Sequence, residues 1–311
     1  MNLRIAVILP CYNEEAAIGA TVAGFREALP DARIYVFDNN SRDRTAEVAA
    51  QAGAIVRREP TQGKGHVVRR MFADIEADVY VMADGDATYD PAAAPAMIRR
   101  LHDEHLDMVV GARASEVEAA YRRGHRFGNR MLTGLLSRLF GRTFSDILSG
   151  YRVFSRRFVK SFPILSEGFE IETEISVHAL ELRMPVAEIV TQYGARPEGS
   201  ASKLSTYRDG WRILRTILTL FRIERPVLYF GSIGGSLALL ALILAAPLVV
   251  TYAQTGLVPR FPTAILATGL AIIACLCFFT GLILDTVVRG RREVRRLAYL
   301  ALPPPEVEGC S

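Results

Sequence analysis

Cysteine is scarce in this chain of 311 residues: there are four, at Cys11, Cys275, Cys277 and Cys310, and tryptophan occurs once, at Trp211. No pair of cysteines or histidines has the spacing of a zinc site, so the cysteines are expected to be structural fillers. The turn after the first apolar run lacks G-x-G-x-x-G, which excludes a dinucleotide-binding Rossmann motif. The stretch QGKGHVV lacks the Walker spacing and its Ser/Thr, which excludes a P-loop. There is no internal repeat and no low-complexity tract, and the single proline-rich run, PPPE, lies near the end. The start, MNLRIAVILP, has too short an apolar run for a secretory leader and no cleavage-like segment.

Charge is the most informative absence. Residues 227–252 and 262–284 carry none. Each run exceeds the roughly 20 residues that cross a hydrocarbon core about 30 Å thick. Buried core helices of that length normally keep a polar face, so the pair is expected to be a transmembrane hairpin closed by the loop 253–261. That loop holds one cation, Arg260, whereas Arg212, Arg215, Arg222 and Arg225 precede the hairpin and Arg289, Arg291, Arg292, Arg295 and Arg296 follow it. The positive-inside rule then puts both termini and the large N-terminal domain in the cytoplasm, at the inner membrane. The net charge of +4 matters less than this clustering. Basic residues flanking membrane spans argue for anionic lipids as partners and against nucleic acid. With two spans and no charge at mid-depth, a transporter is excluded.

The first 205 residues alternate apolar runs with helical patterns. Strands are expected at 4–9, 33–37, 54–57, 78–83 and 107–112, and helices at about 15–28, at 44–52 and after QGKG. Asp43 or Ser41 would cap the second of these helices. The pattern predicts an α/β domain with an open, mostly parallel sheet and helices on both faces. Ligands of such sheets bind beyond the carboxyl ends of the strands. Here those ends carry PCYNE, DNNS, DGD and GAR.

In VYVMADGDATYDP, Asp84 and Asp86 stand one residue apart at a strand end. They form either a solvated acidic turn or a pair that shares a hard cation, Mg²⁺ or Mn²⁺, and through it a phosphate. Lys64, between Gly63 and Gly65, can approach a diphosphate closely. Arg113 ends the fifth strand, and YRRGHRFGNRMLTGLLSRLFGR has the basic and apolar faces of a membrane-surface helix. Residues 206–222 place Trp211, Leu214, Leu218 and Phe221 on one face of a second interfacial helix.

ILPCYNEE, FDNNSRDRT, QGKG, DGD, SGYR and RPEGSASK occur in that order. Together they resemble the family 2 glycosyltransferases of GT-A fold, and among them the polyprenyl-phosphate glycosyltransferases related to dolichyl-phosphate mannose synthase. The resemblance covers about residues 4–205. It implies that Asp84 and Asp86 bind the metal and the donor diphosphate. It assigns Pro10, Tyr12, Asn13, Glu14 and Asp38 to the nucleobase and ribose of a nucleotide sugar, with Lys64 and Asp84 at the diphosphate. Relatives carry a Gln two residues after the second Asp; here Thr88 stands there, so Thr88, a water or Asp90 would supply the third ligand. Arg113 and Arg130, with Arg126 as a substitute, fall where relatives place acceptor-phosphate arginines, and a guanidinium fork suits phosphate oxygens. In SDILSGYRVFSRR, Asp146 is either a general base or a residue that holds the acceptor loop, and Arg152 accompanies it as a catalytic candidate. One of Glu170, Glu172 and Glu174 would orient sugar hydroxyls. Arg196, Ser202 and Lys203 form a loop clamp over the donor.

The expected organisation is therefore a catalytic domain over 1–205, an amphipathic juxtamembrane helix over 206–225, a two-span hairpin over 226–290 and a basic, proline-rich cytoplasmic tail over 291–311. The expected reaction is inverting transfer of a hexosyl or N-acetylhexosaminyl unit, from UDP more than GDP, to undecaprenyl or another polyprenyl phosphate. Such a phosphate has a second pKa of about 6 and is already a nucleophile at neutral pH. A hydroxyl-bearing glycolipid acceptor would instead require Asp146 as a base. A catalytically inactive membrane scaffold is the remaining alternative. Homo-oligomerisation is left open.

Overall fold

The computed structural model describes residues 3–114, 134, 145–164, 168, 170–194, 215, 218–219 and 221–303. The chain divides into two compact units: Met1–Ile213 with Arg295–Ser311, and Leu214–Val294.

The first unit is built as β1 (Ile5–Cys11), α1 (Glu15–Ala28), β2 (Arg33–Asp38), α2 (Thr45–Gln51), β3 (Ile55–Arg58), α3 (Lys64–Asp74) and β4 (Val79–Met82). After a 3₁₀ turn at Pro91–Ala93 come α4 (Ala94–Asp103), β5 (Met108–Ala114), β6 (Arg152–Ser155), α5 (Arg156–Ser161), α6 (Ile171–Glu181) and β7 (Val186–Gln192). One sheet of seven strands results, in the order β3-β2-β1-β4-β6-β5-β7. β6 runs antiparallel to both β4 and β5, and the other pairs are parallel.

All five expected strands form, as do the helices expected at 15–28, at 44–52 and after QGKG; the helix expected in YRRGHRFGNRMLTGLLSRLFGR lies outside the described residues except for position 134. β6 and β7 are additions. β6 contains Arg152, which breaks the apolar run that would have marked a strand, yet all four of its residues are buried. Its antiparallel insertion makes the sheet mixed.

The core follows from periodicity. Ile18, Val22 and Phe25 recur on one face of α1 and bury completely against Val7, Leu9 and Val81 of the inner strands and against Met97 and Leu101 of α4. Chain order reverses between β1 and β4, which opens a crevice at their carboxyl ends. β5 is parallel to β4, because β6 is antiparallel to both, so its carboxyl end opens on the same edge.

The second unit contains α7 (Pro226–Thr255) and most of α8 (Phe261–Leu300), with mean hydropathy 2.5 and 2.4 over their most apolar windows. Both are compatible with a membrane hairpin. Within it Gly234 packs so closely that a Cβ would lie 2.9 Å from the Ala274 carbonyl oxygen, the kind of small-residue contact that lets membrane helices approach. α8 is longer than the sequence suggests. Its 40 residues extend about 60 Å, roughly twice a hydrocarbon core. The helix does not stop at 290, and from Arg295 onward the chain belongs to the first unit rather than to a separate tail. Few of the residues proposed for the juxtamembrane helix over 206–225 are described, and Trp211 and Leu214 are not among them.

Candidate active site

The crevice is organised by backbone–side-chain bonds between neighbouring strand ends. Asn13 (φ 52°) turns the chain after β1. Its amide donates to Ser41 Oγ at 2.9 Å, and its side-chain oxygen accepts from the Arg42 amide at 2.8 Å. The buried Glu14 donates its amide to Thr45 Oγ1 at 2.8 Å. Asp43 accepts from the Thr45 amide at 3.1 Å and from the Glu15 amide at 3.2 Å, so it ties α1 and α2 together at their starts. The α2 N-cap position itself belongs to Arg44, not to Asp43 or Ser41 as expected. Asp38 is buried at the end of β2, where Oδ1 accepts from the Ser41 amide at 3.3 Å. Pro10 and Tyr12 are half-buried on the same rim.

Asn39 was not singled out from the sequence, and it organises the next loop. Its side-chain nitrogen donates to the Glu59 and Thr61 carbonyls at 2.9 and 2.7 Å, and its oxygen accepts from the Gly63 amide at 2.8 Å. Gly63 has φ 137°, a conformation that only glycine adopts readily. The loop thereby delivers Lys64 at the first turn of α3.

Lys64 is the electrostatic centre of the site. Its ammonium donates to Asp84 Oδ1 and to Glu172 Oε1, each at 2.5 Å. Burial alone would lower its pKa, but the two carboxylates more than reverse that and raise it well above the usual lysine range. Glu172, in the first turn of α6, is buried, and that desolvation pushes its carboxyl upward, with Lys64 opposing. Of the three glutamates the sequence left open, Glu172 is the one brought to Lys64.

The acidic turn packs tightly. A Cβ on Gly85 would collide with Cys11 Sγ, so this position favours glycine, and Cys11 is buried as a filler. A Cβ on Gly150 would lie 2.7 Å from Asp84 Oδ2, and the Gly150 amide donates to Tyr89 Oη at 2.8 Å. Asp86 and Thr88 are both buried, and the Thr88 hydroxyl donates to Asp86 Oδ1 at 2.6 Å. Thr88 is thus the orienting partner of Asp86. Asp90 caps the turn at Pro91–Ala93 by accepting from the Ala92 amide at 2.9 Å. Two carboxylates on one turn, beside a phosphate-sized cationic neighbour, are a hard oxygen donor set that fits Mg²⁺ or Mn²⁺. Among the described residues no cluster of three or more metal-ligating side chains occurs.

Across the crevice, Arg113 ends β5 and engages Asp146 with both arms: Nε to Oδ2 at 2.6 Å and Nη2 to Oδ1 at 2.8 Å. The guanidinium also lies 5.4 Å from the Tyr193 ring centroid. The Asp146 loop is held by Glu188 of β7, whose carboxylate accepts from the Ser145 amide at 2.9 Å and the Asp146 amide at 3.4 Å. Sequence reading had no signal for Glu188, which looks like an ordinary strand residue.

Arg152 differs from its expected role. It is fully buried and donates to the carbonyls of Ser149 at 2.9 Å, Ile147 at 2.6 Å and Glu172 at 3.1 Å. Burial lowers its pKa to about 10. It ties the Asp146 loop to the start of α6. Arg126, Arg130, Arg196, Ser202 and Lys203 lie outside the described residues.

Residues 6–162 match the family described as Glycosyl transferase family 2. Glycosyltransferase AglJ of Haloferax volcanii is 35% identical over 232 residues, covering 74% of this chain and 76% of that protein. A dolichyl-phosphate hexose transferase of the same organism is 28% identical over 221 residues, covering 71% of this chain and 95% of that protein. The fold matches glucosyl-3-phosphoglycerate synthase from Mycobacterium tuberculosis, solved with Mn²⁺, UDP and glucosyl-3-phosphoglycerate, with TM-score 0.58 and 22% identity over 71% of this chain and 79% of that one. The mixed sheet with its acidic crevice is a GT-A fold, and the chain belongs to glycosyl transferase family 2. It is a hexosyltransferase that takes its sugar from a nucleotide.

Proposed function

We propose that the enzyme transfers a hexosyl or N-acetylhexosaminyl unit from a UDP-sugar to a polyprenyl phosphate, with inversion at the anomeric carbon. The observation that carries this reading is the pairing of Asp146 with Arg113. A general base for a hydroxyl acceptor needs a carboxylate oxygen available to take the proton. Here both oxygens of the candidate base are engaged by one guanidinium. An acceptor that arrives ionised needs no base, and a lipid monophosphate is mostly dianionic near neutral pH.

The donor nucleotide would lie along Pro10, Tyr12, Asn13, Glu14 and Asp38, with its diphosphate toward Lys64, Asp84 and Asp86. Asp84 and Asp86 would hold Mg²⁺ or Mn²⁺, which when bound supplies positive charge for the departing diphosphate. Lys64 then adds a preorganised cation to the same developing charge. Glu172 keeps that ammonium in place and faces the sugar side of the crevice. The acceptor phosphate would meet Arg113, together with Arg126 and Arg130. An acceptor oxygen attacks the anomeric carbon from the face opposite the leaving nucleotide, so an α-linked donor gives a β-linked lipid phosphate sugar. Arg196, Ser202 and Lys203 would close over the donor. The apolar hairpin and its flanking arginines support an inner-membrane enzyme with its catalytic unit on the cytoplasmic side. The named activity of the dolichyl-phosphate hexose transferase relative and the UDP held by the mycobacterial synthase support acceptor and donor respectively.

The test is incubation of the purified enzyme and Mn²⁺ with a panel of UDP- and GDP-sugars and either undecaprenyl phosphate or a lipid alcohol. Mass spectrometry of the lipid fraction is expected to find a hexosylated lipid phosphate from a UDP-sugar. Product on the alcohol alone would overturn the acceptor assignment.

A further inference from the structure

Two fully buried carboxylates of the first unit, far from the crevice, take partners from the end of the chain. Glu181 is the last residue of α6, and its buried carboxylate receives Arg295 Nη1 at 2.7 Å. Asp107 immediately precedes β5 and is 0% exposed. It accepts from Arg157 Nε and Nη2 at 3.1 and 3.0 Å, from Ser155 Oγ at 2.8 Å and from the Tyr299 hydroxyl at 2.7 Å. The Arg157 guanidinium also lies 4.2 Å from the centroid of the Tyr299 ring. Arg295 and Tyr299 are four residues apart on one helix, so they share a face.

The elements they hold are the two that carry opposite halves of the site. α6 bears Glu172 in its first turn, on Lys64, and Glu181 at its last residue. β5 bears Arg113 near its carboxyl end and follows Asp107 at its start. The chain's last helical turns therefore grip both elements at the ends remote from the crevice. An acid at a helix C-terminus opposes the helix dipole, and a buried carboxylate stripped of its partner is strongly unfavourable. Arg295 removes both penalties at Glu181.

We propose that Arg295 and Tyr299 are positioning residues for transfer: they set α6 against β5, and so hold the donor-side Lys64–Glu172 pair at a fixed distance from the acceptor-side Arg113. Residues 295–303 thus support the catalytic unit from outside the crevice. This rests on the transferase reading but not on the identity of the acceptor.

The test uses the full chain in phospholipid nanodiscs and whichever acceptor the wild type uses, with Arg295→Met and Tyr299→Phe variants. Transfer to acceptor and hydrolysis of the nucleotide sugar are measured in the same reaction, at a temperature where thermal unfolding shows each variant fully folded. Misplacing the two halves should lower transfer, which needs both, more than hydrolysis, so the transfer-to-hydrolysis ratio should fall about ten-fold in Arg295→Met. Tyr299→Phe removes one hydroxyl and should lower the ratio by a smaller factor. Adding Glu181→Gln to Arg295→Met removes the buried charge that lost Arg295 and should restore much of the ratio. A wild-type ratio in either single variant overturns the proposal, as does parallel loss of both rates or no recovery in the double variant. If the wild type glycosylates a lipid alcohol and not a lipid phosphate, the acceptor assignment fails while this test stands unchanged.

Discussion

The two sides of the crevice each join a cation to carboxylate, but with different stoichiometry. On the donor side one ammonium, Lys64, serves two carboxylates, Asp84 and Glu172, with Asp86 close by in sequence on the same turn. On the acceptor side one guanidinium, Arg113, matches one carboxylate, Asp146, fork to fork. The donor side keeps an excess of negative charge, which suits a divalent cation and through it a diphosphate. The acceptor-side pair is balanced, and that balance occupies Asp146, the candidate base. Charge counting thus separates a metal-and-leaving-group half from a nucleophile half that requires no proton transfer.

The largest effect should come from breaking the donor side. Asp86→Asn or Asp84→Asn is expected to lower kcat about a thousand-fold, and calorimetric titration with Mn²⁺ and UDP should show the lost affinity. Lys64→Met should cost about a hundred-fold, read as transfer rate at saturating donor. It also frees Glu172 from its counter-charge, so the loss should appear in kcat more than in nucleotide affinity.

A smaller, pH-dependent effect concerns α6, the helix that carries Glu172. His178 lies 4.8 Å from the Phe162 ring centroid and 5.5 Å from that of Phe158, and among the described residues neither ring nitrogen has a hydrogen-bond partner. Burial, with Arg295 adding to it, lowers its pKa to about 3. As pH falls, the unfolded chain protonates this histidine near its ordinary value of 6.5, while the folded chain keeps it neutral down to about 3. The unfolded state binds more protons in that interval, so stability present above pH 6.5 is lost as pH falls toward 3. At pH 5 the loss from this one residue is about 2 kcal/mol. Denaturant melts of wild type and His178→Leu at pH 7.5 and pH 5 should show a flatter profile for the variant; equal slopes would contradict the assignment.

Much of the fold was legible because apolar periodicity is a local property. β1 to β5 and α1 to α3 could be read from runs of Val, Ile and Leu and from the polar clusters that end them. β6 was missed because its charge, Arg152, is satisfied by carbonyls contributed from Ser149, Ile147 and Glu172, a fact of tertiary structure. The burial of Arg152 was hidden for the same reason, since an arginine beside a motif reads alike whether it faces ligand or core. Asp84, Asp86, Asp38 and Arg113 could be singled out because strand ends collect ligand groups in open α/β sheets, and Lys64 because it stands between two glycines. Asn39 and Glu188 act on distant backbone amides, and nothing in their local sequence announces a loop partner twenty or more residues away. The continuation of α8 to Leu300 was hidden because a cluster of arginines marks a membrane edge without saying where the helix ends.

The pairing of Asp146 with Arg113 carries the acceptor assignment, and Asp146→Asn tests it most directly. Transfer by wild type and variant would be measured side by side on undecaprenyl phosphate and on a lipid alcohol, across pH 6 to 9. The account predicts that the variant keeps transfer to the phosphate within about ten-fold of wild type, with a similar pH profile, and that neither protein glycosylates the alcohol. Loss of transfer by about a thousand-fold or more, together with loss of the acid-side limb of the pH profile that an essential base produces, would make Asp146 the general base and contradict it.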